Sequence, residues 1–208
     1  MNSPDLNEQL ISIISNNVHD IKLEKIKNLI AQGADINCVN NNGFPLLHIN
    51  IGALNTFFIN QTRLDVQDLL IDSGVDINGF DLSGQNILLY AMHTISLNGV
   101  GNDAKPFIRS MLEAGADSNS ETKTGSTPLH LMCDKNWHEF IIPLLDNSFK
   151  ENPSFDIGKK SRFRKSAEEY AMKQGHDECI DALNSYDVNL RLNKENATAP
   201  IITPSRRF

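Results

Sequence analysis

The chain has 208 residues, 40% of them apolar and 22% charged, with a net charge of −7. That length allows one or two ordinary domains or one elongated stack, and the apolar share is enough for a continuous core. No apolar run approaches the ~20 residues that cross a bilayer, and an acidic balance argues against a nucleic-acid surface, which needs a basic stripe. The charge is unevenly spread: residues 1–148 hold 8 Lys/Arg against 17 Asp/Glu, whereas residues 149–208 hold 11 against 9. Three scattered cysteines, Cys38, Cys133 and Cys179, suit a reducing compartment. The opening Met1-Asn2-Ser3-Pro4-Asp5 lacks the basic and apolar regions of a secretory signal, so a cytoplasmic place of action is expected.

From the start, Leu6, Leu10, Ile11 and Ile14 recur at helical spacing, and Ile26, Leu29 and Ile30 mark a second helix. A phrase follows that then returns. Gly33-Ala34-Asp35-Ile36-Asn37 recurs as Gly74-Val75-Asp76-Ile77-Asn78 and as Gly115-Ala116-Asp117-Ser118-Asn119, with the glycines 41 residues apart both times. A second set, Gly43, Gly84 and Gly125, keeps the same period, and each opens an apolar run. Repeats in the range of ~20–50 residues signal stacked supersecondary units. In Thr124-Gly125-Ser126-Thr127-Pro128-Leu129-His130 the glycine permits a positive φ, Thr127 can cap a helix, and Pro128 fits its first position. His130 is then placed to tie the turn to its neighbour.

This Thr-Pro-Leu-His phrase, together with the leucine-ended helix and its Gly-x-Asp-x-Asn loop, resembles the ankyrin repeat over about residues 5–184. Gly43-Phe44-Pro45-Leu46-Leu47-His48 is a weaker copy, and in Gly84-Gln85-Asn86-Ile87-Leu88-Leu89 the histidine is replaced by Leu89. The resemblance implies an all-α ankyrin-repeat solenoid of about five units, each a hairpin finger and two antiparallel helices. The units are read as an N-terminal cap at 1–39, repeats at 40–80, 81–121 and 122–148, a long basic finger at 149–165 and a degenerate cap at 166–186. Residues 187–208 read as a disordered tail.

The repeats at 40–80 and 81–121 each carry about eight extra residues between their helices, including Phe57, Phe58 and Ile59 in one and Leu97, Gly99, Val100 and Gly101 in the other. These inserts either pack on each other or form a second binding surface. The basic finger is taken as six residues longer than the others, through Pro153 and Gly158. Pro143 is expected to weaken or bend the second helix of its unit, and Trp137 to form a partly packed cover.

No catalytic residues, metal ligands or cofactor site emerge. His130 and Cys133 share a helix face, but no second close pair completes a metal site. Gly99-Val100-Gly101 lacks the rest of a dinucleotide fingerprint, and Glu168-Glu169 point apart. The chain reads as a non-enzyme that binds a protein partner, with no nucleic acid, no membrane, and a monomeric state expected.

In the family, recognition uses fingertips and the exposed side of each first helix. On matching positions the resemblance nominates Val39, Asn41, Phe44, Phe80, Leu82, Gln85, His93, Glu121, Lys123, Asp134 and Lys135. Val39, Phe44, Phe80 and Leu82 are apolar where solvent-facing residues are usual, which marks a binding anchor. Packing of Phe44 and Leu82 between adjacent fingers is the competing role. Lys159, Lys160, Arg162, Arg164 and Lys165 flank Phe163 on an otherwise acidic body. They fit either a regulatory subunit that senses an acidic or phosphorylated ligand or a solvated loop lying against the acidic stack. A further alternative, from the abundance of Asn, Ile and Lys, is a secreted bacterial effector that binds a host protein.

Overall fold

A computed structural model describes residues 5–16, 23–53, 61–97 and 104–198. Among the described residues, ten α-helices pair off in sequence. They are α1 (Leu6–Ser15) with α2 (Leu23–Ala31), α3 (Leu46–Gly52) with α4 (Gln61–Asp72), α5 (Ile87–Leu97) with α6 (Lys105–Glu113), α7 (Pro128–Lys135) with α8 (Ile141–Glu151), and α9 (Ala167–Gln174) with α10 (Asp177–Thr198). Odd-numbered helices pack on odd-numbered neighbours and even on even, so the stack has an inner and an outer layer with one continuous core between them. Leu46, Leu47, Ile87, Leu88, Leu129 and Met132 fill it from the inner layer, and Leu70, Phe107, Met111, Leu144 and Leu145 from the outer.

The glycines of the repeated loop end the outer helices. Gly33, Gly74 and Gly115 have φ of 98°, 86° and 82°. In each case the glycine N–H and the next N–H bond back across the last turn, as in Gly33 N–H to the Ile30 carbonyl and Ala34 N–H to the Leu29 carbonyl, both 3.0 Å. This cap satisfies carbonyls that a helix end leaves orphaned, and only a residue free to adopt positive φ completes it at no cost.

The aspartate and asparagine of the loop do different work. Asp35, Asp76 and Asp117 each accept the N–H two residues on, at 2.8–2.9 Å, which closes the turn locally. The asparagines reach forward instead: Asn37 Oδ1 accepts from Asp76 N–H at 2.8 Å, and Asn78 Oδ1 from Asp117 N–H at 2.7 Å. Asn7 begins the same ladder by accepting from Asp35 N–H at 2.8 Å. The first rung braces the N-terminal unit, and each later one clamps one unit to the next.

Four expectations need correction. The finger between α8 and α9 is of ordinary length. Asp156 accepts Gly158 N–H at 2.9 Å, the same turn 39 residues after Asp117. Ser161 N–H donates to the Lys165 carbonyl just as Thr122 N–H donates to Ser126. The apparent surplus came from ending the helix at Leu144-Leu145, whereas α8 runs through Phe149 to Glu151, across the expected boundary at 148. Second, Pro143 neither bends nor weakens α8, because it lies in the first turn, where its missing N–H is not needed. The segment before it, His138–Phe140, is a 3₁₀ turn instead. Third, Trp137 is a core residue, edge-on to Phe140 with ring centroids 6.5 Å apart. Fourth, helix α10 continues through residues expected to be disordered, up to Thr198. Between Asp177 and Thr198 there is no glycine or proline, and the first breaker is Pro200.

Of the two inserts, Phe57, Phe58, Ile59, Gly99, Val100 and Gly101 lie outside the described residues, and Leu97 is the last residue of α5.

His130 ties units together as its phrase implies. Its Nδ1 accepts from Thr127 N–H at 3.2 Å and lies 2.8 Å from Thr127 Oγ1, while Nε2 donates to the Lys165 carbonyl at 3.1 Å. His48 Nε2 donates likewise to the Gln85 carbonyl at 3.1 Å, but Pro45 offers its Nδ1 no hydroxyl, and that nitrogen has no partner among the described residues. Burial lowers the pKa of both imidazoles, against the backbone carbonyls that favour the charged ring. Folding therefore holds both neutral while the unfolded chain takes up protons near the ordinary histidine value. Stability from this source is present above about pH 6.5 and is lost as pH falls. Urea unfolding should show stability falling as pH drops below about 6.5, by up to about 1.4 kcal/mol per pH unit for each histidine. A flat profile over that window would mean that the rings titrate as freely as in the unfolded chain.

Candidate partner-binding surface

Each finger is a short hairpin closed by a polar residue at its base. Asn40 Oδ1 accepts from Asn42 and Phe44 N–H, both 3.0 Å. Asp81 Oδ1 accepts from Ser83 and Gln85 N–H at 2.8 and 2.9 Å, and Thr122 Oγ1 from Ser126 N–H at 3.0 Å. The turn then needs positive φ, supplied by Gly43, Gly84 and Gly125 at 72°, 74° and 68°. The fourth finger places Arg164 there, with φ of 58°.

Equivalent positions form rows across the fingers. Val39, Phe80, Glu121 and Lys160 make one row, and Asn41, Leu82, Lys123 and Arg162 another. Val39, Phe80 and Leu82 are 51%, 57% and 82% exposed. Leu82 rests against the bare Cα of Gly43, where an added Cβ would lie 2.2 Å from Leu82 Cγ, and its outer side is open. Leu82 thus both bridges two fingers and presents apolar surface. Phe44 takes the competing role: it is half-buried, its ring centroid 5.7 Å from that of Tyr90.

Asn41, Lys123 and Lys135 are exposed. Gln85 and His93 are half-buried and face each other, with the Gln85 amide 3.4 Å from His93 Nδ1. Asp134 sits at the matching place on α7, accepting from Gln174 at 3.0 Å and pairing with Lys135 at 3.2 Å. Burial raises its carboxyl pKa, but these two partners outweigh burial and hold it below the usual range.

The five cations of the basic finger separate into two groups. Lys159 pairs with Glu121, Lys160 lies 3.7 Å from Glu169, and Lys165 sits 5.9 Å from the centre of the Tyr170 ring. Arg162 and Arg164 are exposed and form no ion pair among the described residues, and Lys123 on the adjoining finger shares that condition. Phe163 stands between the two arginines, 66% exposed. The fingertips therefore run from apolar at the second and third units to basic at the fourth and fifth.

Sequence reasoning missed two of the residues that hold this surface in place. Asn86, fully buried, accepts from Leu89 N–H at 3.0 Å and donates to the Asp117 carbonyl at 2.8 Å. Arg63, also fully buried, donates to the carbonyls of Ile14 and Asn16 at the end of α1. Asn86 could have been found, since an asparagine stands where Thr127 stands in the fourth unit. Nothing local distinguishes Arg63 from a surface arginine.

This architecture of paired helices, hairpin fingers and a 41-residue asparagine ladder is that of an ankyrin solenoid. Residues 96–196, just under half of the chain, match the family model for ankyrin repeats in three copies. It is also similar to the NAD-dependent deacetylase sir2B of Dictyostelium discoideum, 28% identical over 157 residues. That match covers 74% of this chain and 19% of the relative, so the chain spans less than a fifth of that protein's length. Ankyrin repeats bind protein partners. Among the described residues, no helix is long and apolar enough to cross a membrane, and no group of three or more His, Cys, Asp or Glu is arranged to hold a metal.

Proposed function

We propose that this chain is a non-catalytic module that binds a protein partner through its fingertips and the adjoining face of the inner helices. The observation that carries this reading is the exposed pair Phe80 and Leu82, held on a hairpin whose backbone is closed by buried Asp81. Exposed apolar side chains on a rigid support suit an interface anchor, because little conformational freedom is lost on binding. The alternative drawn from composition, an effector that binds a host protein, uses the same surface by the same means.

Capture from cell lysate tests it, with the native chain compared against Phe80→Asp/Leu82→Asp. Both side chains are exposed, so the variant should unfold within about 1 kcal/mol of the native chain. A specifically retained protein should fall at least about tenfold on the variant, the loss expected for an apolar anchor. Equal retention by a folded variant would clear Phe80 and Leu82 of any binding role and sink the reading.

A further inference from the structure

The row of tips changes character along its length, and the basic end shows a feature that packing does not explain. Three fingers place glycine at the positive-φ corner, and the fourth places Arg164 there at 58°. A non-glycine residue in that region is disfavoured by contact between its Cβ and the backbone. Its side chain is exposed and forms no ion pair among the described residues, so nothing in the fold offsets the strain. Strain of this kind, without a packing reason, points to use of the side chain. The use is narrowed by the neighbours. Arg162 is backbone-bonded to the finger before it, its N–H donating to the Thr124 carbonyl at 2.9 Å, which fixes where that arginine leaves the chain. Lys123 on that preceding finger adds a third cation without an ion pair among the described residues. Glu121, on that same preceding finger, is already taken by Lys159. Two guanidiniums and an ammonium flanking the exposed Phe163 form a receptor for an anionic group, and arginine's paired donors match carboxylate and phosphate alike.

We propose that the fingertips from Phe80 to Arg164 form one bipartite site for an extended peptide segment of the partner. An apolar side chain of the segment sits against Phe80 and Leu82, and an anionic one is held by Arg162 and Arg164. This rests on the binding reading above and specifies its ligand. The spacing follows from the stack. Successive helices pack 8–10 Å apart, so fingers two units apart are separated by about 20 Å, and an extended chain covers that in about six residues. A ligand with both features close together, or far apart, would reach only one end of the site.

The test uses short Gly/Ser peptides that each carry a Leu-Phe pair and one Glu or phosphoserine, at every separation and in both orders. They are displayed in many copies on beads, so that weak binding of the full-length chain becomes visible. Retention is expected to peak near a separation of about six residues and to fall as salt is raised. Arg162→Glu/Arg164→Glu should cut it about tenfold or more and remove the preference for the anion. Arg164→Gly should lower retention while raising the unfolding midpoint, because it relieves the strained corner; this variant separates lost binding from lost folding. Equal retention of Glu and phosphoserine peptides would mark a constitutively acidic partner, and preference for phosphoserine a phosphorylated one; both support the site. Retention indifferent to the anion or to the separation, or no retention, would overturn it. So would a lysate partner that depends on Phe80 and Leu82 but ignores Arg162→Glu/Arg164→Glu, and that result would leave the binding reading standing.

Discussion

Replacing Arg63 with methionine should cost about 3 kcal/mol or more, concentrated at the N-terminal end of the stack. The side chain starts on α4, crosses the core and donates to the Ile14 and Asn16 carbonyls, which α1 would otherwise leave unpaired at its end. It also donates to Asn50 Oδ1 at 3.3 Å, while Asn50 Nδ2 donates to the Arg63 carbonyl at 3.0 Å, so the first unit and both helices of the second meet at one residue. Burial lowers the guanidinium to about 10, which leaves it charged at neutral pH. A cation in the core is tolerated because helix C-terminal carbonyls face it. Methionine fills much of the volume but strands those carbonyls. Lysine should not rescue, since one ammonium on a flexible stem cannot span acceptors as a planar fork does. In a solenoid each unit is stabilised chiefly by its neighbours, so the damage should be local. Hydrogen exchange of α1 and α2 should accelerate well before that of α7 to α10. Uniform acceleration along the chain, or none, would show that Arg63 is not the clasp of the first unit.

What the sequence revealed depended on how local the physics was. Glycines at Gly33, Gly74 and Gly115 were legible because each answers a demand of its own turn, a positive φ at a helix end. The Thr127-Pro128-Leu129-His130 start was legible for the same reason. The ladder of Asn37 and Asn78 was seen only as a repeated letter, because its hydrogen bonds join residues 39 apart in sequence. Where the repeat drifts, local reading misplaces the boundary: Leu144-Leu145 imitate the end of a helix that continues to Glu151. The drift has a structural cost. Asn119, the third asparagine, finds no donor for its buried Oδ1 among the described residues, and its amide reaches only to Glu151 at 3.4 Å. At the candidate site, exposure of Phe80 and Leu82 followed from repeat position alone. The division of the basic finger into paired and unpaired cations did not, since it depends on where Glu121 and Glu169 come to lie.

Asn86→Ala is expected to cost about 2–3 kcal/mol, more than the loss of an ordinary helix cap at about 1 kcal/mol. In the fourth unit two side chains share the work: Thr127 closes the start of α7 with His130, and His130 bonds to the next finger at Lys165. In the third unit Leu89 occupies the histidine position and is fully buried, so it can do neither. Asn86 does both. Its Oδ1 takes the Leu89 N–H as a cap, and its Nδ2 reaches the Asp117 carbonyl in the loop after α6, which leads into the next finger. Alanine removes the cap and the bridge together, leaving a buried donor and a buried acceptor without partners. The two roles can be separated. Asn86→Thr keeps a capping oxygen and loses the bridge, so it should recover about 1 kcal/mol relative to alanine. Asn86→Thr/Leu89→His rebuilds the arrangement of the fourth unit and should recover more, provided the ring reaches the Ser126 carbonyl as His130 reaches Lys165. Urea unfolding of the four chains gives the coupling between the two positions directly. If threonine proves no better than alanine, the cap contributes nothing and the bridge to Asp117 carries the whole effect. If the double variant is worse than Asn86→Thr alone, the leucine is retained for packing, and the asparagine is the only solution this core allows.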